Sequence, residues 1–242
     1  MRLTSAIAIA VLIATAGASP AEETPWSGSL AQAREHMQHE RPADAIAALG
    51  QAFQSGLDDV GLVLSDAVLL PLHGEPAFKA LIRGNAGTRP LILVTPEEPG
   101  EPLEVTGEIR TGDGVVVAGA LVHVFQADAT GWYSRQGAMD EPRARIFGYM
   151  RSDGEGRFVF RTVRPGAYPE RDGVEGPARF IPAHIHVEVE TPGGLWRLQV
   201  VFSDDPRMQP EHWKTWAAKQ GNPIVEPSRE NGLWSCLLPI KI

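Results

Sequence analysis

The segment Pro182-Ala-His184-Ile-His186-Val-Glu-Val-Glu190 alternates between apolar and polar residues. Successive side chains of a β-strand point to opposite faces of a sheet, so this pattern predicts a strand whose isoleucine and valines enter a core. His184 and His186 would then project together from the other face. Two adjacent imidazoles on a rigid strand can supply half of a metal site, but a polar outer row on a strand is also commonly solvated. The histidine pair alone leaves both interpretations open.

Other alternating segments surround this strand and predict the fold class. They are residues 103–110, 121–126, 157–162, 195–202 and 233–242. Glycine-rich turns such as Asp153-Gly-Glu-Gly156 separate them, and one short helix is expected at Pro210–Gln220. Short strands at this spacing are typical of an antiparallel β-sandwich. We therefore expect a mainly β protein whose sandwich, the catalytic domain, covers residues 91–242.

Residues 19–90 have a helical pattern instead. Apolar residues recur at helical spacing after Ser29, Pro42 and Pro76. The spacing resembles one unit of a tetratricopeptide array, but a single unit cannot bury its own apolar face. We expect a small helical appendage, used for packing or oligomerisation, and a linker. Three histidines of this region are expected on its surface: His36, His39 and His73.

The composition excludes some partners. The 242-residue chain has a formal net charge of -8, so it lacks the bulk positive field that nucleic acid binding requires. Its single cysteine, Cys236, cannot form an intrachain disulfide. Stability must therefore come from burial and from any metal that the protein binds.

Residues 1–18 have the features of an export signal. Arg2 supplies a positive start, residues 6–13 form a short apolar run, and Ala16-Gly17-Ala18 is a small-residue cleavage site. The run is shorter than the roughly 20 residues of a membrane span, and no later segment is apolar enough. We expect a periplasmic or secreted protein without a membrane span after signal removal; an uncleaved anchor is the alternative.

Two tyrosines extend the histidine pair to a candidate ligand set. Tyr133 follows a predicted strand and Tyr168 lies in a Pro-Gly-Ala-Tyr-Pro turn, and loops held by a sheet often carry ligands. Ferric iron is a hard cation, and two phenolates, two neutral imidazoles and a hydroxide would give it a neutral centre. The alternative for each tyrosine, and the commoner one, is an amphipathic side chain that closes the edge of the sandwich.

Four motifs in order, spread over residues 103–206, carry a family resemblance. They are Gly119-Ala-Leu-Val-His-Val-Phe-Gln-Ala-Asp-Ala-Thr-Gly-Trp-Tyr133, Arg151-Ser-Asp-Gly-Glu-Gly-Arg-Phe-Val-Phe-Arg-Thr-Val-Arg-Pro-Gly-Ala-Tyr168-Pro, Pro182-Ala-His184-Ile-His186 and Leu198-Gln199-Val-Val-Phe-Ser-Asp-Asp-Pro. Together they resemble the intradiol ring-cleavage dioxygenases, the family of the protocatechuate and catechol dioxygenases. Catechol dioxygenases also carry a helical N-terminal piece used for dimerisation, so the resemblance allows a homo-oligomer through the helical region.

The resemblance implies an Fe(III) cofactor and a role for each matching residue. Tyr133 and His184 would be equatorial ligands, and Tyr168 and His186 axial ligands, with a hydroxide completing the centre. A small aromatic diol would bind as a dianion, displace the hydroxide and Tyr168, and react with O2 to a cis,cis-muconate-type diacid. Both displaced groups can accept the phenolic protons of the substrate. Gln199 matches a residue beside the reacting ring; otherwise it is an ordinary outward-facing polar residue.

One position departs from the family pattern. The family usually has an arginine three residues before the first histidine, where its charge stabilises the carbanion-like bound substrate; here Ile181 stands there. Loss of such a charge can cost about 10²–10³ in rate. We hypothesise that Arg179, or Arg197 on the same strand face as Gln199, substitutes for it. The alternative is an iron site with poor turnover or an unusual catechol. Four other arginines lie nearby in sequence and could favour an anionic substrate, although we expect most of them to be solvated: Arg143, Arg145, Arg164 and Arg171.

Two other functions remain open at this level. A transthyretin-like β-sandwich binding module would keep the motifs only as scaffold, although retention of all four ligand types argues against it. A copper or zinc β-sandwich would need another histidine near the pair. His123 is the available one in the β region, and it should face outward because its neighbours Val122 and Val124 face the core.

Overall fold

The computed structural model describes residues 24–134, 143–169 and 180–242. The predicted signal, residues 1–18, lies outside the described residues, as do Arg171 and Arg179. None of the described helices is both long enough and apolar enough to cross a membrane.

Twelve strands and five α-helices make up the described part of the chain. The strands are β1 (Leu91–Ile92), β2 (Pro102–Arg110), β3 (Leu121–Gln126), β4 (Ile146–Arg151), β5 (Arg157–Val163), β6 (Tyr168–Pro169), β7 (Phe180–Ile181), β8 (His184–Thr191), β9 (Gly194–Phe202), β10 (Ile224–Val225), β11 (Ser228–Glu230) and β12 (Leu233–Lys241). The helices are α1 (Ser27–Gln38), α2 (Pro42–Gln54), α3 (Val60–Leu64), α4 (Pro76–Gly84) and α5 (Glu211–Gln220), with 3-10 turns at Leu70–Gly74 and Pro206–Met208.

The strands form two five-stranded sheets and one small ribbon. One sheet has the order β1-β5-β2-β12-β11 and the other β10-β9-β8-β3-β4, while β6 pairs with β7. Most neighbours are antiparallel, but β12 lies parallel to β2, and the short strands β1 and β10 lie parallel to β5 and β9. Parallel neighbours need a long connection, and about half of the chain separates β2 from β12. The prediction of a mainly β, sandwich-like protein is confirmed.

The core lies between the two sheets, as the alternation predicts. Apolar residues of both sheets are buried in one cluster: Val105, Phe160 and Leu238 from the first, and Val124, Ile185, Val187 and Val189 from the second. The opposite face of β8 carries His184, His186 and Glu188, so the period-two pattern assigned the faces of this strand correctly.

Strand β4 was not predicted from the sequence. Its residues Ile146, Phe147, Gly148 and Met150 are all buried, so it lacks the alternation of a half-exposed strand. The helical segment contributes to this burial, because the rings of His73 and Phe78 pack against Phe147 on the face of β4 that points away from the other sheet. Buried residues of α2, α3 and α4 belong to the same core cluster as the sheets.

The expectation that His73 lies on the surface is wrong. Its side chain is 1% exposed and stacks on Phe78, with the edge of Phe147 on another side. The 3-10 turn that carries it lies against β4, so the imidazole belongs to the packing between helices and sheet. His36 is half-buried and His39 is exposed.

Candidate metal centre

Four side chains from three separate segments meet at one edge of the second sheet. Tyr133 lies in the segment after β3, Tyr168 begins β6, and His184 and His186 lie on β8. All four are buried. The sheet brings them together because β3 pairs with β8, with Phe125 opposite His186.

The four donor atoms form a closed ring of short contacts. The Tyr133 hydroxyl lies 2.8 Å from His186 Nε2 and 3.1 Å from the Tyr168 hydroxyl. His184 Nε2 lies 3.1 Å from both the Tyr168 hydroxyl and His186 Nε2. Neighbouring donors about 3 Å apart are what bonds of roughly 2.1 Å to one shared ion require.

Both imidazoles have the protonation state that a metal needs. His184 Nδ1 lies 2.8 Å from the carbonyl oxygen of Pro182, which can only accept, so Nδ1 carries the hydrogen and Nε2 presents its lone pair. Burial lowers the pKa of His184, against the opposing effect of that hydrogen bond. Burial and the neighbouring His184 lower the pKa of His186 to about 3. Both rings are therefore neutral at neutral pH, and the donor set fits a metal ion.

A cavity opens beside the ring of donors. Its volume is about 420 Å³, and its walls include Phe125, His186 and Gln199 from the sheet and Trp216 and Gln220 from α5. Gln199 is the register partner of His186, so its amide lies next to the imidazole on the same face. Phe125 stacks flat on His186, with ring centroids 4.4 Å apart. The cavity thus joins an aromatic wall, a polar amide and one edge of the candidate centre.

His123 does not join the four side chains. It faces outward, as expected, where it stacks on Tyr149 at 4.1 Å and contacts Glu188 through Nδ1 at 3.0 Å. Tyr149 is accordingly a packing residue. In the part of the chain that the structure describes, three or more His, Cys, Asp or Glu side chains nowhere cluster so that they could hold a metal ion. A copper or zinc site built on a third histidine therefore has no support from the described residues.

A family model described as "Dioxygenase" matches residues 74–227, more than half of the chain. The chain belongs to the intradiol ring-cleavage dioxygenase family.

Similar proteins carry related names. A hydroxyquinol 1,2-dioxygenase of Rhizobium sp. (strain MTP-10005) is 35% identical over 118 residues, which cover 44% of this chain and 39% of that protein. A 6-chlorohydroxyquinol 1,2-dioxygenase of Cupriavidus pinatubonensis is 38% identical over 105 residues, covering 39% of this chain and 37% of that protein. This intradiol dioxygenase family member thus spans less than half the length of these relatives.

A solved structure supports the fold. Catechol 1,2-dioxygenase from Pseudomonas arvilla C-1 superposes with a TM-score of 0.52 at 19% identity, over 87% of this chain and 80% of that one. The superposition includes much of the helical segment as well as the sandwich, since the sandwich alone, from residue 91 on, is less than 87% of the chain.

Ile181, at the position where the intradiol dioxygenase family usually has arginine, packs beside the phenols. It is the register partner of Tyr168 and contacts the small apolar cluster that contains Tyr133 and Tyr168. Of the two arginines expected to substitute, Arg197 lines the cavity with Gln199. Its side chain is 70% exposed, and its Nε donates to Glu188 at 3.0 Å. Arg179 lies outside the described residues.

Two of the four arginines of which most were expected to be solvated are instead paired and largely buried. Arg145 is largely buried in a double ion pair with Glu98 and Asp128. Arg164 forms a bidentate pair with Asp204 and lies over the Trp234 ring. Sequence reasoning missed Arg145 because a lone arginine carries no local signal for a partner 47 residues away.

Proposed function

We propose that the protein is an exported non-haem Fe(III) intradiol dioxygenase that cleaves a catechol-type aromatic with O2 to a cis,cis-muconate-type diacid. One observation carries the proposal: two phenol oxygens and two neutral imidazole nitrogens form a buried ring with contacts of 2.8–3.1 Å. Hard anionic oxygen donors favour ferric iron. Members of this family generally use non-haem iron.

Four residues would hold the iron: Tyr133, Tyr168, His184 and His186. Ferric iron, when bound, would supply Lewis acidity towards a catecholate and the electron-accepting capacity that reaction with O2 requires. As phenolates, the tyrosines contribute two negative charges, while the histidines contribute none. The His184 hydrogen bond to Pro182 orients its ring, so that Nε2 faces the other donors.

Tyr168 would be the proton acceptor, as the resemblance to the intradiol dioxygenases implies. Its oxygen lies 3.1 Å from both the Tyr133 hydroxyl and His184 Nε2, so a proton taken from a substrate hydroxyl can be held at Tyr168 Oη within a hydrogen-bonded ring. The second substrate proton would pass to a hydroxide in the site. The overall change balances: one diol and one O2 give one diacid, with both oxygen atoms incorporated and no other reductant.

The cavity beside His186 suits a planar aromatic ring. Phe125 and Trp216 supply apolar surface, and the Gln199 amide supplies a hydrogen-bonding group beside the iron ligands. Its volume of about 420 Å³ leaves space around a single ring for substituents. The substrate is accordingly a catechol-type diol in this proposal, with Gln199 beside the reacting ring.

Export is a separate part of the proposal. Its support is the positive start, apolar run and small-residue site of residues 1–18. A periplasmic or secreted location follows if this segment is removed. A homo-oligomer through the helical segment is also proposed, and light scattering of the purified protein tests it.

The decisive experiment combines metal content, colour and product. Purified protein is expected to hold one iron per chain and to be burgundy, because tyrosinate-to-Fe(III) charge transfer gives a broad visible band. Oxygen uptake with a panel of catechols, and identification of the product by NMR, then test the reaction and distinguish intradiol from extradiol cleavage. Colourless, iron-free protein that cannot be loaded with iron would overturn the proposal and favour a transthyretin-like binding module, whereas bound zinc or copper would indicate a different metalloprotein.

A further inference from the structure

The Asp128 carboxylate organises the turn that leads to Tyr133. Its Oδ1 accepts hydrogen bonds from the Thr130 backbone at 2.9 Å, the Thr130 hydroxyl at 2.7 Å and the Trp132 backbone at 3.1 Å. The Asp128 backbone N–H donates to the Trp132 carbonyl at 2.8 Å. A single aspartate therefore sets the path of the chain directly before the first tyrosine.

The same residue joins the second tyrosine loop. The backbone N–H of Gly166, two residues before Tyr168, donates to the Asp128 carbonyl at 2.8 Å. The loops are also in close contact: a Cβ on Gly131 would lie 2.7 Å from the Ala167 carbonyl oxygen, and one on Gly166 would lie 2.5 Å from the Ala129 carbonyl oxygen. Because no space separates the loops, a shift of the Asp128 turn would move Tyr133 and Tyr168 together.

Arg145 fixes this turn to the body of the protein. Its guanidinium donates to Asp128 Oδ2 at 3.0 Å and to both oxygens of Glu98 at 2.6 and 2.7 Å. Its backbone N–H donates to the Tyr133 carbonyl at 2.9 Å. Burial would raise the pKa of Asp128, but hydrogen bonds from Thr130, Trp132 and Arg145 outweigh it and hold the pKa below its ordinary value. The pair is thus a charged, largely buried contact whose loss is costly.

The helical segment contacts the backbone at Arg145. His73 Nδ1 donates to the Arg145 carbonyl at 2.6 Å, and Lys79 Nζ donates to the Ala144 carbonyl at 3.0 Å. Both donors hold the backbone immediately before β4, where Arg145 lies. The contacts connect α4 and the preceding turn, through Arg145 and Asp128, to both phenols.

We propose that Asp128 and Arg145 are positioning residues that hold Tyr133 and Tyr168 together at the imidazole pair, and that the helical segment acts on the metal centre through them. This inference rests on the proposed function, since it assigns the two residues a role towards bound iron. Neither residue touches the substrate cavity; each acts through the tyrosine loops.

The test compares iron affinity in Asp128→Asn and Arg145→Gln with matched controls. Asp58→Asn and Arg89→Gln remove the same charges from an exposed ion pair that does not line the cavity beside His186. Removing a residue that orients a metal ligand typically lowers metal affinity by about 10- to 100-fold. We expect a loss of iron affinity of this size, measured by competition with a chelator, in Asp128→Asn and Arg145→Gln, and no loss in the controls. The visible band of the iron that remains bound is expected to shift, because the phenolate geometry changes. Combining the two substitutions should cost less than the sum of the single losses.

Folding is followed separately through thermal melting of the iron-free proteins. Thr130→Val is a milder variant, because it removes only the hydrogen bond from the exposed Thr130 hydroxyl to Asp128. We expect it to lower iron affinity and shift the visible band in the same direction as Asp128→Asn, but by less. Wild-type protein that holds no iron would refute the proposed function itself. Wild-type protein that holds iron, with variants whose affinity and visible band stay unchanged, would refute only this inference. The inference would also be refuted if the variants lost iron affinity only in proportion to a lower melting temperature of the iron-free protein, with the visible band unchanged.

Discussion

The hydroxyl oxygen of Tyr133 lies 2.8 Å from Nε2 of His186, across 53 positions of sequence. The contact exists because β3 and β8 are neighbours in one sheet, which brings the loop after β3 to the histidine pair. A buried phenol and a neutral imidazole at this distance share either a proton or a cation. The proposed function depends on the second possibility.

Tyr133→Phe tests the phenol as a ligand. It removes one anionic donor with little change of shape and leaves Tyr168 as the remaining phenolate. We expect a weaker and shifted visible band, and a loss of iron affinity greater than the roughly 100-fold upper range for residues that contact a metal ligand but not the metal. Metal analysis and absorption spectra measure both effects. Tyr149→Phe is the matched control, because that phenol stacks on His123 outside the donor ring. Equal iron content in wild type and Tyr133→Phe would contradict the ligand assignment.

Gly131→Ala tests the contact between the tyrosine loops. Gly131 has φ of 90°, and an alanine there would meet the Ala167 carbonyl oxygen at 2.7 Å. The left-handed conformation alone costs roughly 1–2 kcal/mol of unfolding free energy. Gly119→Ala is the control, because Gly119 has φ of 72° but nothing within 4 Å of the added carbon. Urea unfolding should show a larger loss for Gly131→Ala, and that variant alone should retain less iron; identical behaviour of the two would argue against a functional contact.

Arg197→Ala tests whether this arginine replaces the missing family charge. A preorganised charge beside the reacting group is worth about 10²–10³ in rate. Arg197 is 70% exposed and paired with Glu188, so solvent and its partner screen its charge. We therefore expect Arg197→Ala to lower kcat by about 10²-fold or less. Arg179→Ala is measured in parallel. Unchanged kcat in both variants would refute the substitution hypothesis.

Ile181→Arg in the Arg197→Ala background provides the complementary experiment. Ile181 is the register partner of Tyr168, so an arginine there starts from a backbone position beside the phenols. We expect kcat to recover, with Ile181→Leu as the control that adds no charge. Recovery in both variants would point to packing instead of charge.

His73→Leu tests the link between helices and sheet. The leucine cannot donate to the Arg145 carbonyl, and a buried polar group without its partner costs about 1–3 kcal/mol. We expect the free energy of unfolding of the iron-free protein to fall by that amount. His73→Asn should restore part of it, because its amide N–H can take the place of Nδ1–H, whereas His39→Leu, on the surface, should have little effect. A His73→Leu protein as stable as wild type would show that the bond contributes nothing.

Much of the fold could be predicted from local patterns of apolar and polar residues in the sequence. Strands β2, β3, β5, β8, β9 and β12 were predicted close to their observed bounds because apolar residues recur along each of them between clear turn signals. Strand β4 was missed because helices cover the face that would otherwise be polar. His73 and Arg145 were misjudged for a related reason: nothing near either residue in sequence indicates the partner that buries it.

What the sequence determined by itself is the orientation of His184 and His186, since a strand has a period of two and the apolar residues between them must enter the core. The motifs around the four candidate ligands likewise pointed to the family before any distance was known. Only the tertiary structure decided that two phenols and two imidazoles meet, that Asp128 and Arg145 tie the tyrosine loops together, and that the helical segment touches this arrangement. Such contacts join residues far apart in the chain, and their geometry follows from how sheets, loops and helices pack, which no local pattern encodes.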